Sequence, residues 1–445
     1  MKQRIVILGG GFAGIATAQR LERLLRPGEA HVTLISRENF SLFTPMLPEV
    51  SSGEIDVRHV VTPVRVQLRH TNFILGEVRA IDCTAKAVTF QHTLRGDTDT
   101  VIYDQLVIAL GSVISTYGLP GVAQRVFALK TLEDAGILRN RFMWLLELAD
   151  STEDEEERRR LLTMVVVGGG FTGVEATGEM VELFKDVTRF FPNIRAGDIR
   201  IALVEGGPAL LAGLPPKMGV YAERDLRRRG VDVILGEGVK SADDAGLELA
   251  SGRRIETRTI VWSAGVRVAP IVQETPLPHT KKGALRTGRD LSVSGFPGVW
   301  AIGDCAAIPD GADGFYPQTA QHAIREGPVL AENIAATLRG RQTQPFTYAS
   351  LGMMASLGAR KAVAQLPGDR VLTGFLAWFL WRSYYLSRLP GLERKLRVAF
   401  DWTLELLFPR DISELRVYSS RAQSSAAGDA GIVSRPGNPT DHGTS

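Results

Sequence analysis

Short apolar runs that end in glycine turns and open into helix-compatible stretches set the rhythm of this chain. Ile5-Val6-Ile7-Leu8 runs into Gly9-x-Gly11-x-x-Gly14 and then a helical pattern through Leu24. Val165-Val166-Val167 runs into Gly168-x-Gly170-x-x-Gly173 and a helix expected to reach about Val187. Uninterrupted apolar runs bounded by turns suit strands buried on both faces of a parallel sheet. Further strands are predicted at His31–Ile35, within Asn72–Gln91, and at Val101–Gly111, Ile199–Val204, Val231–Leu235, Ile255–Ala264 and Pro297–Asp304. Helices are predicted at Ala128–Leu148, Ala222–Arg229 and Gln318–Asn333, and Phe40–Val50, with two prolines, as a fixed loop. Thr259–Gly265 (TIVWSAG) closes the second unit much as Val101–Gly111 (VIYDQLVIALG) closes the first, so the α/β pattern reads as an internal duplication.

From Thr373 the pattern changes. Phe375–Trp381 reads FLAWFLW, and Trp378, Trp381, Tyr384 and Tyr385 share one segment with Arg382 and Arg388. After a break at Pro390-Gly391, Leu392, Leu396, Ala399, Thr403, Leu406 and Leu407 recur at helical spacing beside Arg394, Lys395 and Arg397. Aromatic and cationic side chains on an apolar helix suit a membrane interface; a dimer interface or core packing fits the pattern equally. No apolar run reaches the ~20 residues of a spanning helix, so any meeting with a membrane is expected from the side. Beyond Tyr418 the sequence reads as a disordered tail.

The length of 445 residues implies two or more domains. The formal charge is only +3, and no basic block is interleaved with aromatics, so nucleic acid is not an expected partner. The densest charge run, Asp150–Arg160, reads as a solvated boundary ahead of the second glycine turn. The two cysteines, Cys83 and Cys305, lie far apart, which points to a reducing compartment and away from a disulfide framework, a redox Cys-x-x-Cys or a thiolate metal cluster; no metal is expected. The N-terminus enters a strand at once, leaving no room for a signal or transit peptide.

Both glycine turns have the form of a dinucleotide site: one glycine for the tight turn, one for backbone approach to a pyrophosphate, one for strand–helix packing, and a helix N-terminus for the charge. The strand after such a turn should end in an acid that holds ribose hydroxyls. In the second unit Glu205 is that acid, and its charge would repel a 2′-phosphate, which favours NADH over NADPH. In the first unit the position is Ser36, followed by Arg37 and Glu38; either Ser36 or Glu38 can serve. Gly303-Asp304 ends a short buried strand, where the Asp suits a cofactor hydroxyl or a helix cap. Gln321 and Arg325 are one helical turn apart, on a face that lines a pocket or meets solvent. Glu175 is an acid in the first turn of the second fingerprint helix.

Two fingerprints, one nested between halves of the other, with a terminal Gly-Asp strand, resemble the two-dinucleotide-binding flavoproteins. LFTPMLPEV, VVVGGGFTGVE, TAQHAIREG, FLAWFLWRSYYLSRLPG and RVAFDWTLELLFPRD together resemble the type II NADH:quinone oxidoreductases over roughly residues 1–418. The resemblance implies two Rossmann-like domains, the second inserted in the first, plus C-terminal amphipathic helices. It implies an FAD domain at 1–115 and 286–345, an NADH domain at 161–285, a membrane-associating region at 346–418 and a tail at 419–445. FAD would be non-covalent, against Gly9, Gly11, Phe12, Ala13, Gly14, Ser36, Arg37, Thr44, Pro45, Gly111, Gly303, Asp304 and Gln321. NADH would lie against Gly168, Gly170, Gly173, Glu175, Glu205 and Gly265. Glu175, Gln321 and Arg325 would serve a membrane quinone, with hydride passing from NADH to the flavin and two electrons onward, without proton pumping.

The implied location is the cytoplasmic face of a bacterial inner membrane, with a homodimer left open. Where Arg325 stands many members carry Gln, and many have an acid where Ser36 stands. Two other readings remain at this point: a relative with a disulfide, sulfide or iron–sulfur acceptor, and a non-catalytic NADH-binding redox sensor.

Overall fold

The computed structural model describes residues 2–368 and 370–415. The expected tail, and positions 416–418 of the expected C-terminal region, lie outside them.

The first sheet has seven strands in the order Val299–Ala301, Gln105–Ile108, Gln3–Leu8, Ala30–Ser36, Asn72–Asp82, Ala87–His92, Thr98–Ile102. The first five are mutually parallel and the last two form an antiparallel meander. Ile5, Ile7, Leu8, Leu34 and Ile35 are fully buried in it, each stabilising the fold by about 1.5–3 kcal/mol. The second sheet runs Val126–Ala128, Thr259–Trp262, Thr163–Val167, Arg200–Glu205, Asp232–Leu235, all parallel. Thr259–Trp262 flanks the second fingerprint strand as Gln105–Ile108 flanks the first, so the duplication extends to strand order. The two chain crossings between the units pair with each other, Ser112–Ile114 antiparallel to Val266–Val268. The architecture is α/β, with two Rossmann-like units, the second inserted in the first.

Several local expectations change, among them these three. Val101–Gly111 is two strands, because Asp104 turns the chain and accepts from the Arg4 backbone N–H (2.8 Å) and guanidinium (2.9 and 3.1 Å). The helix expected from Ala128 starts at Leu132: Val126–Ala128 is an edge strand of the second sheet, upstream of residue 161, and Thr131 forms a capping box with Asp134. Phe40–Val50 is not a loop but a three-residue strand, a 3₁₀ turn at Thr44–Met46 and a helix from Leu47 to Ser51.

The C-terminal part is a three-stranded antiparallel sheet, Met354–Ser356, Ala362–Leu366 and Arg370–Gly374, followed by helices Phe375–Arg388 and Leu392–Leu404. These amphipathic helices bury Ala377, Trp381, Val398 and Trp402 against the body. Their opposite faces leave Phe375, Leu376, Phe379, Leu392, Leu396 and Phe400 more than half exposed. The core-packing reading of this segment thus applies to one face, and the other face is exposed. Among the described residues no helix is long and apolar enough to cross a membrane.

Candidate functional site

The two glycine turns match residue by residue. Gly9 and Gly168 have φ of +106° and +107°, and a Cβ there would meet backbone, Ala109 O at 2.3 Å and Ala264 N at 2.7 Å. A Cβ on Gly14 or Gly173 would lie 2.0 or 1.8 Å from the carbonyl of the first glycine of its own turn. Gly11 and Gly170, by contrast, have nothing within 4 Å. Each turn is therefore clamped at its first and third glycines and open at its second, beside a helix N-terminus, which is the cradle an extended diphosphate needs.

A cavity of about 1130 Å³ runs along the first unit. It is lined by Gly9, Gly11, Phe12 and Ala13, by Ser36, Arg37 and Glu38 at the strand end, by Thr44 and Pro45, by Gly111, and by Gly303 and Asp304. Gly14 is the packing glycine behind it. The cavity continues past Gln321 and Arg325 to Leu380, Tyr384, Tyr385 and Arg388 of the C-terminal helix, and the second unit reaches it through Phe171, Thr172 and Glu175. An edge-to-face series of rings joins the first glycine turn to that helix: Phe12 to Phe43, 5.9 Å, then Phe43 to Tyr385, 5.9 Å, then Tyr385 to Trp381, 4.8 Å.

Ser36 and Glu205 occupy the same place in the two units: a Cβ on Gly10 would meet Ser36, and one on Gly169 would meet Glu205. Glu38 pairs with Arg37 at 3.4 Å, so this loop acid also faces the cavity with a partner. Glu205 accepts from the Gly169 N–H at 2.5 Å and the Gly207 N–H at 2.7 Å, which fixes its carboxylate beside the second turn. Gly168, Gly170, Gly173, Glu205 and Gly265 lie away from the large cavity. At Gly265 a Cβ would meet the Tyr117 hydroxyl, and the Gly265 carbonyl accepts from Ser115 N–H.

Asp304 sits in a 3₁₀ turn, Gly303–Cys305, rather than capping a helix by its side chain. It accepts from Ser112 Oγ at 2.7 Å and pairs with Lys130 Nζ at 3.5 Å. Glu326, buried on helix Ala320–Leu338, accepts from Gly303 N–H at 2.7 Å, and burial raises its carboxyl to about 7. Gly327 lets that helix approach the first fingerprint helix, since a Cβ there would lie 2.8 Å from Ala13 O. Ser112, Lys130 and Glu326 were not among the sequence candidates. They come from three separate elements, and no local pattern marks them.

Glu175 is buried in helix Phe171–Val187 with one edge toward the cavity, and it accepts from Ser356 N–H at 3.0 Å. Burial raises it to about 8, against the pull of that donor, so at neutral pH it holds its proton. One turn away, at Glu179, lies an ionic cluster invisible in the sequence. Arg410 reaches Glu54 (3.3 Å), Glu179 (3.2 Å) and Glu405 (2.9 Å), Arg382 also bonds Glu54, and Trp402 donates to Glu49 at 3.2 Å. It ties the C-terminal helices to the helix that carries Glu175. Cys305 is buried, its thiol raised to about 12 by burial and donating to Ile108 O and Ile302 O. It has no cysteine neighbour, which removes support for a disulfide or sulfide route.

The profile of the pyridine nucleotide-disulphide oxidoreductase family matches residues 3–327, and that of the NDH2 C-terminal domain matches residues 351–411. The chain is 33% identical over 424 residues to the type II NADH:quinone oxidoreductase Ndh of Mycobacterium tuberculosis, covering 92% of this chain and 89% of that one. It is 30% identical to the type II NADH:quinone oxidoreductase of Staphylococcus saprophyticus, covering 85% and 93%. Among solved structures, NDH2 from Plasmodium falciparum in complex with NADH shares the fold, with a TM-score of 0.86 over 93% of this chain and 100% of that one, at 21% identity.

Proposed function

The chain belongs to the type II NADH:quinone oxidoreductases, enzymes that oxidise NADH and reduce a quinone, and from that premise we propose that it does so through non-covalent FAD, without pumping protons, at a membrane surface. The observation that carries this reading is the single cavity walled by both units and by the C-terminal helix.

The parts at 1–115 and 286–345 form the FAD domain in this reading. The open second glycine, Gly11, faces the diphosphate; Ser36 with Glu38 takes the adenosine ribose; Asp304, held by Ser112 and Lys130, takes a ribityl hydroxyl. The open cradle at Gly11 and the cavity volume fit the group. When bound, FAD supplies a two-electron relay between nicotinamide and quinone. The part at 161–285 holds NADH, with Gly170 at its diphosphate and Glu205 at its ribose. Glu175 stands where the second unit meets the cavity and keeps a proton within reach of a quinone oxygen. Gln321 and Arg325 address the same ligand from the facing helix. The aromatic chain excludes water between the two ends.

Anaerobic titration of the purified protein tests the whole reading. NADH should bleach the bound flavin in preference to NADPH, and benzoquinone- and naphthoquinone-type acceptors should restore the colour; no reoxidation by any quinone overturns it. In the same titration Glu205→Arg should reverse the nucleotide preference, lowering NADH binding about tenfold or more through loss of a charge-assisted bond. An unchanged preference would show that Glu205 does not face the ribose.

The exposed stripes of the C-terminal helices, with Arg388, Arg394, Lys395 and Arg397 nearby, are the surface we assign to lipid, on the cytoplasmic face of a bacterial inner membrane. Removing the helices outright would also uncover buried Trp381 and Trp402, so a surface change is the cleaner test. Leu396→Glu combined with Phe400→Glu should cut sedimentation with anionic vesicles while sparing turnover with a water-soluble quinone. Sedimentation as strong as wild type would move the membrane face elsewhere.

A further inference from the structure

Gln321 and Arg325 face the same cavity, but their polar atoms are committed differently. Gln321 is enclosed: Tyr348 Oη donates to its Oε1 at 3.0 Å, and its Nε2 faces Ser350 Oγ at 3.3 Å and Gly352 O at 3.4 Å. Arg325 lies over the Tyr348 ring, 4.3 Å from the centroid, and gives one N–H to the Gln321 carbonyl at 2.6 Å. A guanidinium has five N–H donors, and among the described residues no acid lies within ion-pair distance of this one. Four donors are thus left over on a half-buried cation in the cavity wall.

None of the acids that line the cavity pairs with Arg325. Arg388 is a second cation, over the Tyr384 ring at 5.1 Å, and Glu175, which lines the same cavity, is kept protonated by burial. Elsewhere in the cavity Glu38, Glu77 and Asp304 are paired with Arg37, Arg79 and Lys130. Glu274 is exposed at the end of the short helix Pro270–Gln273, which packs on strand Asn72–Asp82. A partly desolvated, unpaired cation favours a ligand oxygen that carries charge over a neutral carbonyl of the same shape.

We propose that Arg325 is the acceptor-recognition residue of this chain, and that it makes the cavity prefer quinones with an ionised ring hydroxyl, the hydroxynaphthoquinone class, over neutral quinones of equal ring size. The inference rests on the quinone reading of the cavity. The test titrates the oxidised, FAD-loaded protein with 2-hydroxy-1,4-naphthoquinone, an anion at neutral pH, and with neutral 2-methyl-1,4-naphthoquinone, following perturbation of the flavin absorbance. The anion should bind wild type at least about tenfold more tightly, a gap typical of a charge-assisted bond. Arg325→Gln should bring the two compounds level by weakening only the anion, while Arg388→Gln keeps the wild-type ratio. No preference in wild type, an unchanged preference in Arg325→Gln, its loss in Arg388→Gln, or displacement of the anion by NAD+ but not by the methyl compound would each overturn the assignment. Reduction of the methyl compound with no preference in binding removes Arg325's role alone; failure of both compounds to bind or to be reduced removes the quinone reading with it.

Discussion

Replacing Glu175 by Gln is expected to slow quinone reduction about a hundredfold, the scale on which a positioned general acid contributes. Quinone takes up protons as it takes up electrons, and Glu175 is the one acid of the second unit that reaches the cavity with its proton held by burial at neutral pH. In wild type the rate should fall as pH rises through about 8, where this carboxyl ionises, and in Glu175→Gln that limb should vanish. Bleaching by NADH should survive, because Gln keeps the size of the side chain and hydride transfer needs no proton from it. Stability moves the other way. The folded chain binds this proton up to about 8, whereas the unfolded chain releases it near 4.5. Between those values the folded state binds more protons, so wild-type stability declines as pH rises. Glu175→Gln lacks that decline, and its melting temperature should gain on wild type from pH 6 to pH 9. Stopped-flow quinone reduction and thermal melts over that range check both; an intact basic limb in the variant would assign the proton elsewhere.

Gly11→Glu should yield colourless protein, and Gly170→Glu yellow protein that NADH no longer bleaches. Both sites have open space where a Cβ would go, and their φ values of −78° and −75° suit any residue. Neither substitution therefore disturbs packing. Each places a carboxylate where a diphosphate is to lie, and like-charge contact of this kind weakens binding at least about a hundredfold. Flavin content by absorbance and bleaching by NADH, with dithionite as control, separate the two. Flavin loss from Gly170→Glu, or NADH blindness in a flavin-loaded Gly11→Glu, would exchange the assignments of the two turns.

The parts of the fold that were legible in the sequence are those encoded by neighbours. Val165-Val166-Val167 and Ile5-Val6-Ile7-Leu8 are buried on both faces, so their patterns are continuous, and in each turn the third glycine is forced by the carbonyl of the first. Ser36 and Glu205 were readable as counterparts because each ends the next strand. What was hidden is what the chain assembles from a distance. Lys130 reaches Asp304 across 174 positions, and Ser112 across 192. Val126–Ala128 is too short to carry a period, yet it completes a sheet. The polar face of Gln321 and Arg325 was ambiguous between water and a cavity, because a helix wheel does not say what it faces.

The Arg410 cluster has a consequence for how the protein comes into being. Arg410 is made 356 residues after Glu54 and 231 after Glu179, its buried partners. While the chain is still on the ribosome both carboxyl groups lack this partner, and a buried pair missing one member is less stable by about 3–5 kcal/mol. The glycine turns can close early, but the cluster beneath Glu175 settles only once the C-terminal helices have been synthesised. A polypeptide that ends before Arg410 therefore carries an unfinished core, and the cavity wall and the C-terminal helices that complete it mature as one event.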